Sequence, residues 1–349
     1  MESPVRREPM GAVLERLGPL VSLSVVGTGK NVGKTTLLNR LVAEAAEQGR
    51  CLGLTSIGRD GEAYDAISAH PKPPILVPRG TLVATAEGLL PPEDELERLA
   101  TTGFRTPLGP IVLARARSTR PWEVAGPIAM SELGEAVERF FQFGAALVLV
   151  DGAFGRRSLA APTLTQATVV VTGAALDPSM DNVVRETEHL LDLFGLPASR
   201  LPPALQQAAR ERHVAILQGD EVQVLPLSTA LGAEDRLSRA IRAGARAFAL
   251  GTALTPRLMQ ALTPRDGPPV EVVLRDATCA LVGPEDLHRF RARGGHLSVV
   301  TPIRLPMLAA NPYSPYGWSF PQREFQELLA RRLAPLPVVD VVAGVVVQC

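Results

Sequence analysis

Lysine is nearly missing from this chain. Of 36 Lys and Arg residues, only Lys30, Lys34 and Lys72 are lysines. Arginine fills every other cationic position, so a retained lysine marks a place where a compact ammonium is wanted. Net charge is missing too, because 36 acidic residues balance the 36 basic ones. With no long basic run, nucleic acid is not expected as the main partner. Cysteine is scarce. Cys51, Cys279 and Cys349 have no metal-ligand spacing and suit a reducing cytoplasm better than a disulfide scaffold. The five histidines are scattered, without metal or triad spacing, and read as structural. No segment approaches a membrane span and the N-terminus lacks an apolar signal core, so no membrane role is expected. Aromatics make up only 4%, which leaves Leu, Val and Ala to build the core.

Against that background one stretch stands out. The β-branched run Val21 to Val26 reads as a buried strand. From Gly33 to Gly49 the apolar residues Leu37, Leu38, Leu41, Val42 and Ala45 fall at helical spacing, with Gly49 as a C-cap. Between strand and helix lies Gly27-Thr-Gly-Lys-Asn-Val-Gly-Lys-Thr-Thr36, which holds two of the three lysines. It is expected to act as a phosphate-binding loop of the G-x-x-x-x-G-K-T kind. Gly27, Gly29 and Gly33 let the backbone wrap closely around an anion. The amides of the loop and of the helix start would point at phosphate oxygens. Lys34 would reach the β- and γ-phosphates, and Thr35 would offer its hydroxyl to Mg²⁺. The expected nucleotide-binding set is Gly27, Thr28, Gly29, Lys30, Asn31, Val32, Gly33, Lys34, Thr35 and Thr36.

Other candidates follow along the chain. The strand from Cys51 to Ile57 leads into Gly58-Arg-Asp-Gly-Glu62. There Asp60 could hold Mg²⁺, and Asp60 or Glu62 could orient an attacking water; a solvated Asp-Gly turn is the plain alternative. Lys72 lies in a Pro-rich loop with Tyr64 and His70. Thr81 to Leu90 and Glu93 to Ala100 read as helices, Pro110 to Ala116 as a strand. The stretch Ser118 to Gly126, with Arg120, Trp122 and Glu123, is a candidate substrate or partner loop, or an ordinary connection. Ser131 to Phe143 is an amphipathic helix with Ser131 as its expected cap. Ala145 to Val150 is an apolar strand ending in Asp151, which would bind Mg²⁺ directly or through water. Arg156 or Arg157 could meet the γ-phosphate. The strand from Ala167 ends in Val171-Thr-Gly-Ala-Ala-Leu-Asp177 without a base-reading N-K-x-D, which tilts the expected base toward adenine.

A composition change near Pro197 to Pro203 suggests a boundary. The expected organisation is an arm over 1–20, a nucleotide-binding domain over 21–199 and a second α/β domain over 200–349. In the latter, Asn311-Pro-Tyr-Ser-Pro-Tyr-Gly-Trp318 collects two of three tyrosines and one of two tryptophans. It reads as a binding surface or as a plug over the core. Val338 to Val347 reads as one final strand.

The loop resembles the G-T-D-T-x-V-G-K-T form of dethiobiotin synthetase. More broadly it is similar to the MinD-like P-loop NTPases, although Thr28 stands where their signature lysine belongs. The expected fold is α/β, a parallel-sheet P-loop domain followed by a second, smaller α/β domain, with ATP and Mg²⁺ as cofactors. Thr55 to Glu62, Leu149 to Ala153, Thr172 to Ala174 with Met180 to Val184, and Asn311 to Gly317 look like the reactivating-factor subunit of adenosylcobalamin-dependent aminomutases such as lysine 5,6-aminomutase. That resemblance implies an accessory protein in which ATP opens the mutase and releases damaged cobalamin, with the mutase and a second reactivase subunit as partners. In that family the second subunit can be the principal ATPase, so hydrolysis by this chain is less firmly implied than binding. Only the phosphate-site residues carry over: Gly27 to Thr36, Asp60 and Asp151. The competing expectations are an ATP-dependent ligase, with Lys30, Lys72 and Arg120 holding a carboxylate substrate, and a partitioning ATPase that forms a homodimer on ATP.

Overall fold

The computed structural model describes residues 5–57, 74–152, 157–227, 229–263 and 268–349, without the side chain of residue 157. In chain order the elements run β1 (Arg6–Pro9), α1 (Val13–Leu17), β2 (Ser22–Gly27), α2 (Lys34–Glu47), β3 (Leu52–Ser56), β4 (Ile75–Val77) and β5 (Leu82–Ala86). Then come β6 (Leu96–Thr106), β7 (Gly109–Ala116), β8 (Arg120–Trp122), α3 (Met130–Gln142), β9 (Leu147–Asp151), β10 (Ala167–Gly173) and α4 (Met180–Phe194). Next are α5 (Pro203–Arg210), β11 (Val214–Gln218), β12 (Glu221–Val224), α6 (Glu234–Arg242), β13 (Ala247–Leu250), α7 (Pro256–Leu262), β14 (Val270–Leu274), α8 (Pro284–Ala292) and β15 (Gly295–Val299). The chain ends with β16 (Leu308–Asn311), α9 (Gln322–Arg332), β17 (Val338–Asp340) and β18 (Val345–Gln348). None of these helices is long and apolar enough to cross a membrane.

Two units result. One is Met1–Glu188 with Arg304–Cys349, the other His189–Ile303. The first holds an eleven-stranded sheet in the order β1-β18-β17-β16-β10-β2-β9-β3-β5-β7-β6. The seven strands from β17 to β5 are mutually parallel, and antiparallel strands extend the sheet at both ends. Strands buried on both faces read as unbroken apolar runs, and β2, β9 and β10 are buried at every position. Helix α2 covers the sheet with Leu37, Leu38, Leu41, Val42 and Ala45, all buried. It ends as expected: Gly49, at φ 64, donates to Ala46 O, and Arg50 N donates to Ala45 O.

Several expectations need correcting. Residues 5–20 are no free arm. Met10, Val13, Leu14, Leu17 and Leu20 join the core under α2, and β1 pairs with β18. Glu44 of α2, 2% exposed, takes Leu14 N at 2.9 Å and the Arg40 guanidinium. Glu44→Ala is expected to cost about 1–3 kcal/mol, because the Leu14 amide loses its acceptor in a buried place; chemical denaturation measures it.

Of the helices expected over 81–90 and 93–100, only short 3-10 turns at Glu87–Leu89 and Glu93–Glu95 form; Leu82–Ala86 is strand β5, and residues 96–100 open strand β6. Their ladder partners β3 and β7 decide the matter, and local propensity does not. Helix α3 starts after Ala129, and Ser131 lies inside it. The final apolar run is two strands, because buried Asp340 accepts Val342 N and Ala343 N and turns the chain. The expected boundary at 199/200 lies instead between Glu188 and His189, and a second one falls between Ile303 and Arg304. The chain leaves the large sheet after β10 and comes back to it at β16, which pairs with β10 in parallel.

The inserted unit has its own five-stranded sheet, β12-β11-β13-β14-β15. Its core is rich in alanine: Ala208, Ala209, Ala215, Ala247 and Ala249 with Leu205 and Val273. Small side chains there let helix and sheet backbones approach closely.

Candidate functional site

Strand β2 is the pivot of the large sheet. From it α2 leads to β3 on one side, and from β9 the chain goes to β10 on the other. Ligands of open α/β sheets sit outside the carboxyl ends of strands at such a divergence. The register fixes what stands there. Val25 lies opposite Asp151, Asp151 opposite Ser56, Gly27 opposite Val171, and Gly173 opposite Asn311. One edge therefore gathers the ends of five strands.

The turn from β2 to α2 is held from several directions. Thr28 N donates to Val171 O at 2.9 Å. The Thr28 hydroxyl donates to Thr172, and Thr172 and Thr187 bond at 2.7 Å. Thr187 donates to Val183 O, which carries the chain of hydroxyls into α4. Gly33 has φ 106, a left-handed conformation that a side chain would strain, and a Cβ there would lie 3.2 Å from the Asn311 side chain. It brings no capping side chain, and the first turn of α2 carries no acidic residue. The helix's own ladder starts with Leu37 N to Gly33 O, so the donors ahead of it lie outside that ladder. Lys34 folds back over the turn, with Nζ 3.0 Å from Gly29 O. A Cβ on Gly27 would meet that ammonium at 2.8 Å. Thr35 is buried, while Lys30, Asn31 and Thr36 are exposed.

One point of the sequence reading is corrected by counting. Five residues, Thr28 to Val32, separate Gly27 from Gly33, where G-x-x-x-x-G-K-[ST] has four. Strict spacing would put the first glycine at Thr28. The longer count is the one in the dethiobiotin synthetase form quoted above.

Asp151 is 5% exposed and ends β9, directly beside β2. Gly152 after it must be small, since a Cβ would come within 2.2 Å of Val25 O. Asp60, Glu62, Tyr64, His70, Lys72 and Arg156 lie outside the described residues, as does the side chain of Arg157. The stretch 118–126 is mostly structural. Trp122 is buried and pairs with Ile75, and Arg120 binds Glu95 at 2.6 Å. The Arg120 and Ser118 hydrogen bonds hold the Glu95 carboxyl below its usual range. The end of this stretch does reach the edge: Gly126 N donates to Ser56 Oγ, which itself donates to Val124 O.

The contact that sequence reasoning missed is between the glycine turn and residues 311–318. Asn31 Nδ2 donates to the Tyr316 hydroxyl at 3.0 Å. Trp318 Nε1 donates to Ala174 O at 2.8 Å, and Ala174 N donates to Asn311 O. The concentration of rare residues was the one signal, and it carried no address.

Among the described residues no group of three or more His, Cys, Asp or Glu could hold a metal ion. A Mg²⁺ held by one carboxylate, one hydroxyl and phosphate oxygens needs no such group. Buried Asp151 beside β2, and Thr35 in the first turn of α2, are hard oxygen donors that fit it.

No family model matches the chain. No curated protein matches it either. A solved structure described as the chimerical protein CapA2B2 aligns with 51% of this chain and 73% of its own, at 14% identity and a TM-score of 0.28. A likeness that small carries no argument about fold or function. The chain is mixed α/β with a large, mostly parallel central sheet.

Proposed function

We propose that this chain is an ATP-binding protein of the P-loop class, and that it serves as a reactivating factor for an adenosylcobalamin-dependent aminomutase. One observation carries the reading. The strands that carry or lead into the segments resembling such a factor, β3, β9, β10 and β16, end at one carboxyl edge beside the glycine turn, at Ser56, Asp151, Gly173 and Asn311. Lys34 neutralises the β- and γ-phosphates, and the amides of the turn and of α2 hold their oxygens. Thr35 and Asp151 would hold Mg²⁺, which when bound would supply neutralisation of the phosphate charge. Loops ordered by the γ-phosphate would relax after its loss, the step that frees a bound partner.

The test is calorimetry with Mg-ATP, followed by reactivation of a mutase carrying damaged cobalamin. ATP-dependent recovery of mutase activity, together with the second subunit, is expected. Tight ATP binding without recovery would remove the reactivating role and keep the nucleotide site. Asp151→Asn should lower any Mg²⁺-dependent turnover at least tenfold while changing ATP affinity less; unchanged turnover would reduce Asp151 to a strand end.

A second reading, an ATP-dependent ligase acting on a small carboxylic acid, is favoured by the nine-residue loop from Gly27 to Thr35. The Arg120–Glu95 pair weakens it, since Arg120 was one of three cations expected to hold the acid. Steady-state turnover with candidate acids separates the two.

A further inference from the structure

The sequence leaves the aromatic stretch 311–318 open between a binding surface and a plug. Its neighbours decide. Tyr316 stays 38% exposed, although its hydroxyl touches the glycine turn through Asn31. Its ring lies 5.6 Å from that of Trp318, tilted by 32°. Trp318 is tied by its indole N–H to Ala174, at the start of the segment that follows β10. From that segment Leu176 approaches the turn: a Cβ on Gly29 would lie 3.1 Å from Leu176 Cδ1. Two apolar walls, Leu176 and the Tyr316–Trp318 pair, thus stand next to the turn that would hold phosphates. A plug would be covered, whereas Tyr316 is exposed and Trp318 half-buried.

We infer that Tyr316 and Trp318 take the base of the bound nucleotide by stacking on its face, an inference that rests on the phosphate-loop reading. Ring faces discriminate poorly, because every base has one. Edge reading is the usual source of strong purine selectivity, and Asp177, the carboxylate on the described segment that follows β10, is committed elsewhere. Asp177 Oδ1 accepts Ser179 N at 2.7 Å and Asn182 Nδ2 at 3.2 Å, which fixes the start of α4. The site is therefore a nucleoside triphosphate site with weak preference between adenine and guanine, and a strong preference for either over triphosphate alone.

Calorimetry on the full chain with Mg-ATP, Mg-GTP and Mg-tripolyphosphate tests this. ATP and GTP should bind within about threefold of each other, and both about tenfold or more tighter than tripolyphosphate. Tyr316→Ala should remove most of that tenfold gap, leaving tripolyphosphate affinity as it was. Tryptophan emission should change on adding ATP and stay constant with tripolyphosphate, and Trp318→Phe should remove that change, because Trp122 also emits. Equal affinity for ATP and tripolyphosphate overturns the stacking and keeps the phosphate loop. An equal loss for both ligands in Tyr316→Ala also overturns it, since the ring then only props up Asn31. Failure of all three ligands to bind overturns the phosphate loop as well.

Discussion

Replacing Lys34 with alanine should abolish measurable nucleotide binding and leave the fold intact. The ammonium lies across the turn, 3.0 Å from Gly29 O, and its stem passes close to Gly27. The side chain is only half-buried and takes no part in the apolar core, so truncation opens no cavity there. What goes, on the proposed phosphate-loop reading, is a positive charge that would sit among phosphate oxygens. Charged hydrogen bonds contribute about 1.5–3 kcal/mol each. Two such contacts correspond to a loss on the order of a hundredfold or more in affinity. Lys34→Arg should fail too, because a planar fork does not fill the volume of a compact ammonium between Gly27 and Gly29. Calorimetry with Mg-ATP reads the loss, and circular dichroism checks the fold. Undiminished binding by Lys34→Ala would dismiss the whole assignment of the turn.

The largest effect on stability is expected at Gly126. A methyl group there would lie 2.0 Å from Ser56 O and 2.5 Å from Thr55 Oγ1. The first of these is backbone within the sheet, so no side chain can swing aside. Gly126→Ala should cost about 3 kcal/mol, the upper end for overpacking, and lower the melting temperature by several degrees. The end of β3 must move, and Ser56 with it, so nucleotide-dependent turnover should fall as well. Gly134 makes the contrast. It lies inside helix α3, and a methyl there meets nothing within 4 Å. Gly134→Ala should therefore stabilise by roughly 0.5–1 kcal/mol, as expected for removing helix-interior glycine. A melting comparison of the two variants shows that surroundings, and not glycine as such, set the sign.

The parts of this protein that could be read from sequence are those whose cause is local. Val21 to Gly49 gave strand, turn and helix because apolar periodicity and Gly49 act within a few residues. Asp151 was legible as the end of an apolar run. The parts that could not be read depend on partners distant along the chain. Leu82–Ala86 looks helical alone and becomes a strand only because β3 and β7 flank it. Leu308–Asn311 is four residues without periodicity, yet it brings the chain back to the large sheet beside β10. With that return unseen, the aromatic stretch after it could not be placed beside Asn31. Arg120 looked available for a ligand because its Glu95 partner lies across a strand pairing that local pattern does not reveal.

The interrupted course of the first unit has a consequence for biosynthesis. A ribosome delivers the glycine turn before the aromatic stretch that leans on it, with the whole of 189–303 translated in between. Domains tend to fold as they emerge, the N-terminal part first. Here the glycine turn has to wait for the later-made stretch that hydrogen-bonds it. A polypeptide released before Tyr316 would carry the turn without that partner.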